Sequence, residues 1–200
     1  MAALAEPLAV AAHDVGRAEV KQDETVLVVG GGPIGLLIAL VARIDGANVL
    51  ISEPQGYRRQ VAERLGLHTI DPTTTDVEAH IAEWTSDGGV DVAFEVSGAS
   101  VGLMAATHAV RVRGRLVVVA IHSEPVPLDL FRVFWRELHV IGARVYERKD
   151  FERAVKLLAS GAIAAEELIS AVEPLERTAA AFERLEHGEG VVKVLIDCQG

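Results

Sequence analysis

The segment Thr25-Val26-Leu27-Val28-Val29-Gly30-Gly31-Gly32-Pro33-Ile34-Gly35 changes character at its midpoint. Its first five residues are a continuous β-branched and apolar run, which suits a central strand buried on both faces. Each such side chain contributes about 1.5–3 kcal/mol when fully buried. Glycines then stand at the first, third and sixth places of the turn, and a helical pattern runs on to about Arg43. Gly30 permits a tight reversal, Gly32 lets the backbone approach a pyrophosphate, and Gly35 lets the helix lie close on the strand. Pro33 falls at the first helical position, where its missing amide hydrogen costs nothing. The free amides there and the helix dipole favour an anion. An ordinary strand-to-helix turn is the plain alternative.

The next strand is Asn48-Val49-Leu50-Ile51-Ser52, and Glu53 follows it at once, 18 residues after Gly35. A carboxylate at that place accepts hydrogen bonds from the hydroxyls of an adenosine ribose and repels a 2′-phosphate. NAD is therefore expected rather than NADP. A solvated loop acid is the plain alternative for Glu53. Arg58 and Arg59 bear on the choice, because a guanidinium can grip a phosphate. Their expected place is an exposed helix face.

Strand-length and helix-length patterns alternate outward from this centre, the signature of a parallel sheet with crossover helices. An Ala-rich helix is expected over residues 2–20, with Pro7 tolerable in its first turn. Helices are expected near 57–65, with Gly66 as a stop, over 76–84 with Asp76 as a cap, and over 100–110 and 129–136. Strands are expected at 68–70, 90–95, 115–121 and 139–142. Six strands with intervening helices fit one doubly wound α/β sheet with helices on both faces. After about Tyr146 the pattern predicts a tail of mixed α+β character: a helix over 150–158, a strand over 168–172, a helix over 175–185 and a strand over 191–197. Pattern alone does not say where that tail packs.

The chain has 200 residues, of which 50% are hydrophobic and 24% charged. This is a globular composition for one large domain, or one domain with an appendage. The formal net charge of −10 argues against a general nucleic-acid binder, because phosphates would be repelled. Cys198 is the single cysteine, which excludes an intramolecular disulfide and a zinc site built on several thiolates. No basic signal-peptide start and no run of 18 apolar residues occur, so no membrane span is expected and the cytoplasm is the expected compartment.

Val28-Val29-Gly30-Gly31-Gly32-Pro33-Ile34-Gly35-Leu36 resembles the cofactor motif of the medium-chain dehydrogenase/reductase family, and of zinc-type sorbitol, butanediol and threonine dehydrogenases in particular. Four further stretches are similar: Glu6-Pro7-Leu8-Ala9-Val10, Asp91-Val92-Ala93-Phe94-Glu95-Val96-Ser97-Gly98, Arg113-Gly114-Arg115-Leu116-Val117-Val118-Val119, and Val192-Lys193-Val194-Leu195-Ile196. The resemblance covers nearly the whole chain. It implies a Rossmann-type sheet of strand order 3-2-1-4-5-6, with NAD across the carboxyl ends of the strands. It implies that Gly30, Gly32, Pro33, Ile34 and Gly35 hold the pyrophosphate and that Glu53 holds the adenosine ribose. Val96 and Ser97 would line the adenosine side. Ile121 and His122 would approach the nicotinamide, and the backbone at Ala143, Arg144 and Val145 would meet its carboxamide. Loop polarity is the plain alternative for Ser97 and His122.

The resemblance also marks a departure. The family's catalytic domain precedes its cofactor domain and brings cysteine and histidine-glutamate zinc ligands. This chain has no cysteine before Cys198, no His-Glu dipeptide, and histidines at 13, 68, 80, 108, 122, 139 and 187 without close metal-ligand spacing. No catalytic or metal-ligating residue is assigned; the resemblance implies that Glu6 lies close to the catalytic zinc of a complete enzyme, as a ligand or a neighbour, and a helix-start acid is its plain alternative. The expectation is residues 1–20 as a linking helix, 21–146 as the dinucleotide-binding domain, and 147–200 as a tail that packs on a catalytic domain. This would be the C-terminal part of an alcohol or polyol dehydrogenase, excised or naturally truncated, and inactive without its zinc half. A non-catalytic nucleotide-binding or regulatory module is the alternative, and a methyltransferase is the third reading, disfavoured by Pro33-Ile34-Gly35. A homodimer or larger homo-oligomer is expected through the exposed edge at Val140-Ile141-Gly142.

Overall fold

The computed structural model describes residues 2–86, 88–188 and 190–198. Six parallel strands form the main sheet: β1 Thr25–Val29, β2 Asn48–Ser52, β3 His68–Ile70, β4 Val90–Glu95, β5 Val110–Val118 and β6 His139–Gly142. Their spatial order is β3-β2-β1-β4-β5-β6, so the order reverses at β1, beside β4. In register, Val29 stands beside Ser52 on one side and Glu95 on the other. The carboxyl ends of three strands therefore finish level, next to the glycine turn.

Alternation along β1 divides the core. Val26 and Val28 pack on one face with Leu8, Ile38 and Phe94, while Leu27 and Val29 pack on the other with Leu103 and Leu116. The first face is covered by α1 (Ala5–Arg17), α2 (Pro33–Ile44) and α3 (Gly56–Arg64), the second by α4 (Val77–Trp84) and α5 (Ser100–Ala109). Asp76 caps α4 by accepting the Ala79 amide at 3.1 Å, and Gly66 closes the turn after α3 at φ +73°. A short α6 (Leu130–Trp135) follows β5, and Asp129 caps it through the Arg132 amide at 2.9 Å.

Several boundaries differ from the sequence pattern. The first helix is a 3-10 turn (Ala2–Leu4) followed by α1, and it ends at Arg17 rather than near Val20. Glu19 there takes φ +50°, which no α-helix accommodates. The fifth strand starts at Val110 and ends at Val118, not at Ile121. The Val119 amide still bonds the carbonyl of Glu95, at 3.0 Å, but the Ala120 amide turns back to that same carbonyl at 3.1 Å and leaves the register.

The tail has its own small sheet. Helix α7 (Arg148–Ala159) packs against α1, and strands β7 (Ile169–Pro174) and β8 (Lys193–Asp197) pair in parallel, with α8 (Thr178–His187) between them. Both strands start later than the pattern predicts, and a 3-10 turn (Leu175–Arg177) precedes α8. Between α1 and α7 lies a buried acidic group. Asp14 is fully buried, and neither carboxylate oxygen has a hydrogen-bond partner among the described residues. Burial first, and then the charge of Asp150, push its pKa up from 3.8 to about 7. Asp150 itself is bonded to His13 Nδ1 at 2.8 Å.

Candidate functional site

The glycine turn is shaped by backbone crowding. Gly30 has φ +108°, and a Cβ there would stand 3.0 Å from the amide nitrogen of Ser97. A Cβ on Gly35 would stand 1.9 Å from the carbonyl oxygen of Gly30, so strand and helix touch through bare backbone. Gly32 differs: a Cβ there would meet nothing nearer than Arg58 Nη1 at 3.9 Å, because this residue faces open space. Gly32 caps α2, and the first intrahelical bond is Leu36 N to Gly32 O at 2.9 Å. The amides of Ile34 and Gly35 come before it and have no intrahelical acceptor.

Two cavities open at the carboxyl ends of the strands and meet at Gly32, Val96 and Ser97. The first, of about 560 Å³, is lined by Pro33, Ile34 and Gly35, by Ile121, and by Ala143, Arg144 and Val145, with Glu6 at its edge. Val145 holds φ +61°, a costly conformation for a β-branched residue. The second, of about 540 Å³, is lined by Gly30, Ser52, Glu53 and Arg58. Twelve of the thirteen residues expected to hold a cofactor thus line one crevice. His122 lines neither cavity; its Nε2 lies 3.1 Å from Glu95 Oε2.

Glu53 is buried to 3% exposure, so it is not a solvated loop acid. Its Oε2 accepts the Gly31 amide at 2.6 Å and its Oε1 accepts the Gln55 amide at 2.7 Å. The two arginines are not on an exposed face. Arg59 is held in place by the carbonyls of Glu53 and Pro54, at 2.8 and 2.7 Å, and by Asp71 at 2.8 Å. Arg58 turns toward the crevice, with Nη1 3.9 Å from Glu53 Oε2 and its Nε buried without a partner among the described residues.

Two contributors escape a reading by motif. Gly31 occupies a variable place in the turn, yet its amide aims Glu53 and a Cβ on it would stand 3.0 Å from the Glu53 side chain. Glu95 looks like the polar end of a strand but is fully buried beneath the crevice. The crevice suits a dinucleotide: free amides stand beside a Cβ-free approach at Gly32, with a fixed carboxylate to one side. A metal does not fit in the same way. Among the described residues no group of three His, Cys, Asp or Glu side chains could hold one, and Glu6 alone is not a zinc site. No described helix is long and apolar enough to cross a membrane.

A six-stranded sheet of this order, with a glycine turn at its switch point, defines the Rossmann class of nucleotide-binding folds. The family model described as zinc-binding dehydrogenase matches residues 33–160, and the chain belongs to that family. It is 46% identical over 196 residues to 2-dehydro-3-deoxy-L-galactonate 5-dehydrogenase of Pseudoalteromonas atlantica, covering 98% of this chain and 58% of that protein. The structure of 2R,3R-butanediol dehydrogenase from Bacillus subtilis matches with TM-score 0.91 at 34% identity, over 98% of this chain and 57% of the other. A zinc-binding dehydrogenase from Sinorhizobium meliloti, bound to NADP, matches with TM-score 0.89 at 33% identity, over 98% and 58%. The chain thus spans little more than half the length of these relatives.

Proposed function

We propose that this chain is the NAD(H)-binding part of a zinc-type alcohol or polyol dehydrogenase, which passes a hydride between a secondary alcohol and nicotinamide. The observation that carries this reading is the Gly30–Gly35 turn opening onto a crevice whose flank holds Glu53, already aimed by Gly31. Gly30, Gly32, Pro33, Ile34 and Gly35 receive the pyrophosphate. Glu53, with Val96 and Ser97, receives the adenosine half. Ile121, Ala143, Arg144 and Val145 receive the nicotinamide half. The bound nicotinamide supplies the hydride chemistry. The residues of this chain hold it in one orientation and keep water from one side of it.

NAD is favoured over NADP because the buried Glu53 carboxylate repels a 2′-phosphate. Arg58 opposes that preference, since it shares the cavity and has donors to spare. Parallel calorimetric titration with NADH and NADPH tests the reading. Tighter NADH binding supports it, tighter NADPH binding moves the specificity to Arg58, and binding of neither by folded protein refutes it.

The lack of a metal-holding cluster among the described residues favours a chain that is inactive until a zinc-bearing half is supplied. The same observation favours, as second reading, a nucleotide-binding module without catalysis. Alcohol oxidation on joining the chain to a zinc-bearing partner domain separates the two. The division proposed is a linking helix at 1–20, a dinucleotide-binding domain at 21–146, and a tail at 147–200 that packs on the other half. Val172, Leu175 and Phe182, each more than half exposed, suit such a contact. A homodimer through β6 completes the proposal. That strand has one neighbour in the sheet, and the adjoining α6 exposes Phe131, Phe134 and Trp135 at 70% or more.

A further inference from the structure

Glu95 lines neither cavity, yet it bonds to both loops that do. It is the last residue of β4, and its carboxylate is fully buried. Oε1 accepts from the Ser97 amide at 2.9 Å, the Ser97 hydroxyl at 2.6 Å and the Gly98 amide at 2.9 Å. Oε2 pairs with His122 Nε2 at 3.1 Å. The carbonyl of the same residue accepts the amides of Val119 and Ala120. Glu95 therefore grips residue 120 through its backbone and residue 122 through its side chain.

Between those two grips stands Ile121, a crevice-lining residue that is 95% exposed. A large apolar side chain in open space has no packing to fix it, so its place depends on how its neighbours are anchored. His122 has one such anchor. Its Nδ1 is buried with no partner among the described residues, and Glu95 is the ring's hydrogen-bond partner on the other side. A carboxylate accepts only, so Nε2 carries the proton in this pair.

We infer that Glu95 and His122 are a positioning pair, which fixes Ile121 at the end of the crevice away from Glu53 and holds the loops after β4 and β5 at one separation. This rests on the dinucleotide reading above, under which that end receives the nicotinamide. The ring acts through the loop it anchors. A platform ordered before binding saves the cost of ordering it on binding, so the His122 arm of the pair raises affinity for the nicotinamide half, while Ser97 and Gly98 keep their own bonds to Glu95 Oε1.

The test compares the unaltered chain with His122→Ala and His122→Gln, titrating each with NADH and with ADP and following amide exchange in the same samples. His122→Ala weakens NADH about tenfold, the loss of one charge-assisted hydrogen bond. It leaves ADP within about twofold, since ADP ends before the affected region. Exchange quickens at residues 119–122 and stays unchanged at Ile34 and Gly35. In His122→Gln the side-chain amide replaces the Nε2 donor, and most of the NADH affinity returns. Equal losses for NADH and ADP, unchanged NADH affinity, or exchange unaltered at 119–122 would each overturn the pairing. If the unaltered chain binds neither ligand, the dinucleotide reading fails and the affinity claim falls with it, while the exchange measurement still decides whether the pair orders the loop.

Discussion

The Glu53 carboxylate accepts the Gly31 amide at 2.6 Å, so the glycine turn itself aims the acid that flanks the crevice. With Gln55 bonded to the other oxygen and only 3% exposure, the carboxylate is oriented before any ligand arrives. Charge-assisted bonds of this kind are worth about 1.5–3 kcal/mol. Glu53→Ala is expected to weaken NADH about tenfold or more and to weaken NADPH less. Calorimetric titration with both cofactors checks this. An equal loss for both would remove the ribose role.

Arg58 supplies the opposing arm. Its guanidinium lines the same cavity as Glu53, with Nη1 3.9 Å from Glu53 Oε2, whereas Arg59 is tied to two carbonyls and Asp71. Arg58→Ala should lower NADPH affinity by about tenfold and leave NADH within about twofold. The reverse pattern would place Arg58 on the phosphates shared by both cofactors.

Gly35 is the least replaceable residue of the turn. A methyl group there would overlap the Gly30 carbonyl, and backbone cannot move aside as a side chain can. Gly35→Ala should cost about 1–3 kcal/mol or more of stability, read from denaturant midpoints. Gly32→Ala, which meets only the tip of Arg58, should cost far less stability while weakening dinucleotide binding.

Asp14 makes stability depend on pH. Its folded pKa is raised from 3.8 to about 7, so between those values the folded chain keeps a proton that the unfolded chain has lost. Its contribution is therefore fully present below about pH 4, declines as pH rises toward 7, and stays lost above. Asp14→Ala removes the buried carboxylate and should stabilise the chain at pH 8 by about 2–4 kcal/mol, with little gain at pH 4. Thermal midpoints of the two chains across that range check the sign. An equal effect at both ends would mean that packing, not ionisation, dominates.

Trp135 stacks on Phe131 with ring centroids 5.8 Å apart, both rings exposed on α6, the helix that precedes the edge strand β6 in the chain. If two copies pair there, Trp135→Glu buries a charge in the interface and should shift the mass in light scattering toward the monomer at micromolar concentration. An unchanged mass would put any oligomer contact elsewhere.

Much of the fold was legible along the chain. The run Thr25–Val29, the glycine spacing and Pro33 place a strand, a turn and a helix because each depends on local backbone preference. Glu53 could be found by counting, since the length of one strand-helix-strand unit is set by the geometry of the sheet. The early end of β5 was not legible: Val119 and Ile121 are good strand residues, and it is the Ala120 amide, turning back to the Glu95 carbonyl that Val119 already uses, that breaks the register. The arginines show the same limit. Nothing local separates Arg58 from Arg59, and only the position of Asp71 after β3 captures one and leaves the other facing the crevice.

By itself, then, the sequence determined the alternation of elements, the parallel sheet and the glycine turn, because hydrophobic period, glycine and proline act within a few residues of themselves. The tertiary structure alone decided the aim of Glu53, the grip of Glu95 on both sides of Ile121, and the burial of Asp14 between two helices. Those depend on groups brought together from distant parts of the chain, and hydrogen bonding and desolvation act through space once the sheet has assembled.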